Sequence, residues 1–597
     1  MHTNLIQRWL YLVVVCAMLI APVDAVTWQP IVRSQGPAPG VPGQPNAKHF
    51  ILNAPLVNNN GQVAFHSYLS SSSVSDFNTD TLWAGAASQP QLVAREGGSA
   101  AGTTEAFQSF EFEQLLNNSG QVLVNARVTG DFDQGNGLWL GTPGNLQLVA
   151  RTQTPIAGLP DMIQDIDASS TTLSDNGKIA FHGTATNDKT ALWYGSPGNL
   201  VVAAMEGNSV PAGSGLSASV KFEPFSAPSH SPVINSTGKI AFQATISNGG
   251  SIYGRSVWTG TPGNLQLLVR EETAAPGVPG EEFFLLNTEP VINNGGKVAF
   301  GATLSNFNES IWLGTPGSLQ KILEGNDPAP VGTAGVRFAD FGTYSQLRLS
   351  DSGHVGFEGW LEGAGVNADN NYGLFRATTS GVDMVARLGS QAPGMQAGAT
   401  FEFFTHFSIN ASGHMSFMGT ASGGGVPLGE DRGIWAQNPA GALELVVRIG
   451  DWVHPMTGVV VRMADATNTT LLASQGYGEV FDIDIQSAFK LESEFGTAWN
   501  SDHKLAFSVT YANAAMGEVL FLADLDPANG DFDGDGDVDG RDFLLWQRTD
   551  KTPSGLSAWQ ANYGAGNLTA LAAVPEPTSL AFMIACGMAA MAIRKMT

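Results

Sequence analysis

Asn58–Phe65 reads NNNGQVAF, and the same eight-residue phrase returns along the chain. It recurs as NNSGQVLV at Asn117–Val124, SDNGKIAF at Ser174–Phe181, NSTGKIAF at Asn235–Phe242 and NNGGKVAF at Asn293–Phe300. Three further copies are SDSGHVGF at Ser350–Phe357, NASGHMSF at Asn410–Phe417 and, more loosely, NSDHKLAF at Asn500–Phe507. Copies at a regular period mean a repeat architecture, in which each unit buries its apolar faces against its neighbours. The first seven copies start 57 to 61 residues apart and the eighth follows after 90, so an insertion near residues 451–490 decorates one repeat.

Within the phrase, Asn or Ser, two variable residues and Gly make a turn with positive φ, and apolar residues then run on as a strand. Downstream of each copy comes a Trp or Phe step (Trp83, Trp139, Trp193, Trp258, Trp312, Phe375, Trp435, Phe521), usually a turn such as TPGN, and a strand such as LQLVAR. With the phenylalanine-rich segment that precedes the phrase, each repeat supplies four short antiparallel strands. Eight such modules predict an all-β fold, a β-propeller of about eight four-stranded blades spanning residues 26–525. The chain ends of the array complete each other: WQPIVRSQGPAPG from Trp28 matches the fourth strand and turn of a repeat, while the eighth repeat stops after its third strand, GEVLFLAD. The strand at Trp28–Arg33 is therefore expected to pair near Leu520 and close the ring, leaving no open sheet edge. An open solenoid of the same units is the alternative.

Over about residues 30–525 these repeats resemble the bacterial NxxGxxAF tandem-repeat family, and the resemblance implies no catalytic activity. The departures are Val124 for Phe, Ser174 and Ser350 in the first position, Ser416 as a shifted small residue, and His503 for Gly, which puts the positive-φ turn of the last copy in question.

Of 597 residues 43% are hydrophobic and 14% charged, against roughly a quarter charged in average soluble domains. With Lys+Arg at 28, Asp+Glu at 53 and a net charge of −25, the chain lacks the clustered cations that nucleic acid phosphates require. Its cysteines, Cys16 and Cys586, both fall in terminal segments, so disulfides do not staple the repeats.

Residues 1–25 place Arg8 ahead of an apolar run, Trp9–Ile20, and a small-residue site ending at Ala25, the pattern of a secretory signal peptide; a retained anchor is the alternative. After a linker at 566–573, residues 574–597 contain Pro575-Glu576-Pro577, an apolar stretch Leu580–Ile593, then Arg594 and Lys595. This tail resembles the PEP-CTERM sorting signal. The resemblance implies an exosortase-type partner that removes the tail, a transmembrane segment only before that processing, and export to the cell surface or extracellular matrix of a Gram-negative-type bacterium.

Residues 526–565 hold DFDGDGDVDGRD, with carboxylates Asp531, Asp533, Asp535, Asp537, Asp539 and Asp542 at loop positions 1, 3, 5, 7, 9 and 12. Alternating oxygens around a hard cation, Gly536 at the sharp turn and apolar Val538 behind it make this a calcium loop of EF-hand spacing. FLLWQR and LSAWQANYG read as two short amphipathic helices beside it. The module resembles half of a dockerin, with one loop where a docking module has two.

Candidate chemistry is sparse. The polar residues just before the turns include Glu113, His230, Glu289 and His406, which on a channel-lining strand could serve a hydrolase or lyase or merely wet the channel. His66 and His182, after the AF step, read as capped strand residues. Arg33, Arg95, Arg151, Arg270, Arg387 and Arg448 share one slot after LVA, broken by Met205 and Leu323. They read as interblade ion pairs with neighbours such as Glu96 or Glu271, or as a guanidinium track for acidic polysaccharide. The sequence thus points to an exported, non-catalytic binding or structural protein, with a polysaccharide-active propeller enzyme as the alternative.

Overall fold

The computed structural model describes residues 27–548 apart from 71–78, 112–113, 130–135, 156–161, 226–230, 250, 342–346, 462–468, 476, 485–497, 526–529 and 531–537, and beyond 548 only residues 556, 559, 560, 563 and 564. The chain divides into two compact units, Met1–Pro527 and Ala528–Thr597.

Each repeat folds as one antiparallel sheet, and eight sheets make an eight-bladed β-propeller. In blade 1, Lys48–Leu52 and Leu56–Val57 pair with opposite halves of Gln62–Ser70, which is followed outward by Asp80–Ala86 and Gln91–Arg95. The short strand Leu56–Val57 touches Leu115–Leu116 of blade 2, and the same contact passes on through Thr172–Leu173, Val233–Ile234, Val291–Ile292 and Arg348–Leu349 to Ala399–Ile409 of blade 7. Leu56–Val57 also meets Lys504–Tyr511 of blade 8. The phenylalanine-rich strand and its short continuation are therefore innermost, and the LVAR strand stands at the periphery.

The AF and Trp steps face each other across the ladder, as in Phe65↔Trp83, Phe181↔Trp193 and Phe417↔Trp435. An inner-strand ring meets the Trp edge-on, at 4.9 Å for Phe283–Trp312 and 5.0 Å for Phe401–Trp435. Edge-to-face geometry of this kind adds to the area each ring buries. Phe375 and Phe521 fill the Trp slot of blades 6 and 8, and all these rings are buried.

The ring closes as the split repeat requires. Thr27–Arg33 pairs antiparallel with Glu518–Asp524, with Val32 opposite Leu520, and Trp28 sets its ring edge-on to Phe507 at 4.9 Å. The long spacing before the eighth copy is taken up partly by two extra strands, Trp452–Val453 and Val460–Val461, on the inner side of Gly478–Asp484, and by a short helix, Thr469–Ser474.

The NxxG turns form a second ring of bonds. The first-position amide donates to a carbonyl in the next blade: Asn58 Nδ2 to Asn117 O at 2.9 Å, Asn117 to Ser174 O at 2.9 Å, Asn235 to Asn293 O at 3.1 Å and Asn293 to Ser350 O at 3.1 Å. Asn410 to Asn500 O at 3.3 Å and Asn500 to Asn58 O at 2.8 Å return the belt to its start. Serine is too short to span the gap, so at Ser174 the link passes through Asn176 Nδ2 to Thr237 O, and at Ser350 through the backbone N–H of Ser352 to Ala411 O. His503 keeps the left-handed turn of the last copy, with φ of 57°.

Candidate binding site on the inner strands

The inner strand does not alternate. Its sequence runs buried, exposed, exposed or half-buried, buried, as in His49-Phe50-Ile51-Leu52, Phe107-Gln108-Ser109-Phe110 and Phe283-Phe284-Leu285-Leu286. The cause is a bulge: the ladder skips a residue between His49 and Ile51, and likewise in blades 2, 3, 5, 6, 7 and 8. A bulged residue leaves the pairing and its side chain is re-aimed. The skipped positions include Phe50, Gln108 and Gln164 in the first three blades, Phe284 in blade 5, and Glu402 and Phe481 in blades 7 and 8. Phe50, Phe284 and Phe481 are 53%, 50% and 65% exposed, as is 57% of Phe403 beside Glu402. Solvation of so many phenylalanines on one tier of the ring is unfavourable, and packing does not require it, because the buried positions on either side already fill the blade seams.

Beyond the bulge, the backbone N–H of the next buried residue turns to the preceding blade. Phe110 N donates to Asp80 Oδ2 at 3.2 Å, Leu286 N to Glu271 Oε1 at 3.0 Å and Phe341 N to Glu309 Oε2 at 3.1 Å. Phe225 N uses Thr190 Oγ1 at 2.7 Å, and Leu52 N crosses the closure seam to Glu518 Oε2 at 3.2 Å. The carboxylates near the third strands therefore clasp blades together. His66 is buried with its Nε2 against Asp80 Oδ1, and its Nδ1 stands 3.4 Å from Asn53 Nδ2.

Of the residues expected to line a channel, Ser170, Thr288 and Glu289 lie in the connections between the two inner strands of their blades, and His406 lies within the inner strand Ala399–Ile409. Thr288 Oγ1 accepts from Gly301 N at 2.6 Å and Ser170 Oγ from His182 N at 2.7 Å, replacing ladder bonds where the inner strand breaks. Glu289 is half-buried there; burial pushes its carboxyl up to about 7, against the opposing pull of the Ser231 N–H at 3.3 Å. His406 is exposed and holds a left-handed φ of 52°. Glu113 and His230 lie outside the described residues.

The arginine slot falls on the outermost strands, away from the inner tier. Arg151 pairs with Glu105 at 3.3 Å, Arg387 donates to Asn370 O at 2.6 Å, and Arg270 to the backbone carbonyl of Glu271 at 2.8 Å. Buried Arg448 reaches Gln396 Oε1 at 2.8 Å and Asp451 at 3.6 Å; Arg95 is half-buried on Gln91–Arg95. The carboxylates expected as their partners accept backbone N–H groups: Glu96 from Thr79 at 3.2 Å and Glu271 from Arg255 at 2.8 Å. The register also corrects the slot in blade 5, where Glu324 rather than Leu323 stands opposite Ser310.

In the second unit, Asp542 has no exposed surface in the first turn of the helix Gly540–Arg548, and one carboxylate oxygen accepts from Asp539 N at 2.6 Å. Trp559 Nε1 donates to Asp539 O at 2.7 Å and its ring lies 4.7 Å from Phe543, so the second segment folds back on the loop's end. A buried carboxylate at loop position 12 fits a calcium ligand set. Asp531, Asp533, Asp535 and Asp537 lie outside the described residues, as does the Pro575-Glu576-Pro577 tail. Among the described residues no group of three His, Cys, Asp or Glu is placed to hold a metal, and no helix is long and apolar enough to cross a membrane.

A family model, Family of unknown function (DUF7453), matches residues 22–139 and 129–524. No curated protein matches the chain. Among solved structures it is similar to the β-propeller domain of the Trilobed protease from Pyrococcus furiosus, at 10% identity over 67% of this chain and 98% of that chain, TM-score 0.35. The Dos1 propeller is similar at 12% identity over 80% of this chain and 93% of that chain, TM-score 0.31. Likeness at that level bears on neither activity nor ligand.

Proposed function

The chain belongs to the DUF7453 family, and from that premise we propose that it is an exported propeller with a binding or structural role rather than a catalytic one. The observation that carries this reading is the use of its acids: Asp80, Glu271, Glu309 and Glu518 each accept an N–H from the next blade's inner strand, so carboxylates that could do chemistry hold the ring together instead. The signal-like residues 1–25 and the Pro575-Glu576-Pro577 tail would address the chain to the cell surface or matrix through an exosortase-type enzyme. Asp531, Asp533, Asp535, Asp537 (through its carbonyl), Asp539 (through water) and Asp542 would hold calcium and so order the module before the tail.

Intact-mass analysis of the native product, with a hydrolase and lyase screen on the purified protein, tests the reading. Loss of both termini and no turnover of glycans are expected; Met1 or Thr597 retained would contradict export and sorting. The enzyme alternative draws on one feature, the raised carboxyl of Glu289, which near neutral pH could donate a proton as a general acid does. Glycan cleavage abolished by Glu289→Gln would establish it.

A further inference from the structure

We propose that the exposed bulge tier of the inner strands, centred on blades 7, 8 and 1, is a binding site for an uncharged glycan; this rests on the reading of the propeller as a binding protein. Phe403, Phe481 and Phe50 come from three consecutive blades at adjoining positions of one repeated four-residue pattern and are exposed. Two of the three have an acceptor beside them in sequence, Glu402 before Phe403 and Asp482 after Phe481, while Phe50 is followed by exposed Ile51. Both carboxylates are held in place, Glu402 by the Ser422 hydroxyl and Asp482 by the Arg432 guanidinium. A lipid or apolar peptide would match a continuous apolar strip. Rings alternating with fixed acceptors match instead a molecule whose flat C–H faces stack and whose rim carries hydroxyl donors, which is the chemistry of a sugar chain.

Charge selects among glycans. At the two exposed positions of each of the eight blades there is no Lys or Arg, and the whole chain carries −25. Anionic polysaccharide would meet the carboxylates there; the Arg432 guanidinium is already paired with Asp482, Lys48 at the head of the blade 1 strand is the one exposed cation beside the aromatic positions, and the arginines of the repeated slot stand on the outer strands with carbonyl and carboxylate partners. The repeat itself adds weight: the flanking buried positions stay apolar or aromatic from blade to blade, while the bulge pair varies from Phe-Ile in blade 1 to Gln-Ser in blade 2 and Gln-Asp in blade 3. Blades 7, 8 and 1 thus supply three consecutive aromatic positions, blades 2 and 3 beside them supply polar ones, and blade 5, with exposed Phe284 and Leu285, is a separate apolar pair.

Isothermal titration calorimetry of the mature chain against neutral oligosaccharides (glucans of β-1,4, β-1,3 and α-1,4 linkage, and a mannan), with alginate oligosaccharide and octalysine alongside, tests the proposal. At least one neutral sugar should bind, with little change between low and high salt because no ion pair forms. Phe481→Ala and Phe403→Ala should each weaken that binding about tenfold or more; both side chains are largely exposed, so melting temperature should hold, while Arg387→Ala should leave binding unchanged. Neutral sugars all failing to bind, preference for alginate or octalysine, or affinity indifferent to both phenylalanine changes would overturn it. Shortening of the bound sugar during incubation would instead sink the non-catalytic reading and leave the site standing.

Discussion

The glycine of the NxxG turn is constrained by its φ in every copy that has one and, in blades 2, 3, 4, 5 and 7, also by a side chain from the preceding blade. Its φ is left-handed, 73° at Gly120 and 72° at Gly177, and a Cβ at Gly120 would lie 2.7 Å from Gln62 Oε1 of the preceding blade. Gln121, Lys239 and His354, each following a turn glycine, likewise lie over Gly177, Gly296 and Gly413 of the next blade, and where His503 replaces the glycine the preceding blade meets it ring to ring, His414 Nδ1 and His503 Nε2 standing 2.7 Å apart. The first-position asparagine also works in two directions: Asn117 Oδ1 accepts from Gln121 N at 2.8 Å within its own turn while Nδ2 reaches Ser174 O in the next blade. Asn117→Ala should leave both partners short of a bond in a buried setting and lower stability by about 1–3 kcal/mol in urea titrations. Asn117→Ser should cost less, since Ser174 Oγ accepts from Lys178 N at 2.8 Å and keeps the internal bond of such a turn.

At the scale of elements, the seams between blades decide behaviour. The turns of blades 6, 7 and 8 gather His354, His414 and His503 with Arg376 of blade 6, whose Asp383 partner lies at 3.4 Å. Burial first, then the neighbouring His503, Arg376 and His354, depress His414 to about 4. In the unfolded chain it would protonate near its ordinary value, so the unfolded state binds the proton first as acid is added. Stability contributed by neutral His414 is therefore present above about 6.5 and lost as pH falls toward 4. His414→Gln should flatten the fall in melting temperature over that window, measured by thermal scans at stepped pH. The inner strand is the other instructive element. Its apolar–x–x–apolar spacing, visible in FQSF, IQDI and FFLL, breaks the period of two and is the sequence signal of the bulge. Reading for polar residues near the turn passed over Phe50 and Phe481, because an exposed phenylalanine looks like core until its neighbours' burial is known.

For the whole molecule, closure is the event that matters. Glu518 joins the last blade to Leu52 of the first, and burial, with added repulsion from Asp484 and Asp482, pushes its carboxyl up to about 7. The unfolded chain ionises it from its ordinary value, so the folded ring holds the proton longer, and stability should decline as pH rises from about 4.5 to about 7. The sign is opposite to that of His414 over an overlapping window, which is why single variants are needed to separate them. Glu518→Gln keeps a side-chain oxygen for Leu52 and removes the ionisation; its melting temperature should match or exceed that of the native chain at pH 8 and lose the decline. Calcium should act on the other unit alone. Chelation is expected to expose residues 531–548 to protease while the unfolding midpoint of the propeller stays fixed, and Asp531→Ala should abolish calcium protection in a limited-proteolysis time course.

Much of this molecule is local and so is written locally. The turn phrase, the Trp step and the split repeat determined blade number, strand order and ring closure, because each depends on residues within one repeat or on the two ends that lack half a repeat. What lies between blades could not be read that way. Whether Asp80 is a chemical acid or a clasp depends on Phe110, thirty positions away and in another sheet; whether Arg151 faces a channel or the rim depends on which strand of the sheet is innermost. The exposed aromatics were settled last, because exposure belongs to the assembled ring: a bulged residue leaves its own ladder, and whether a neighbouring blade covers it is known only once the blades are in place.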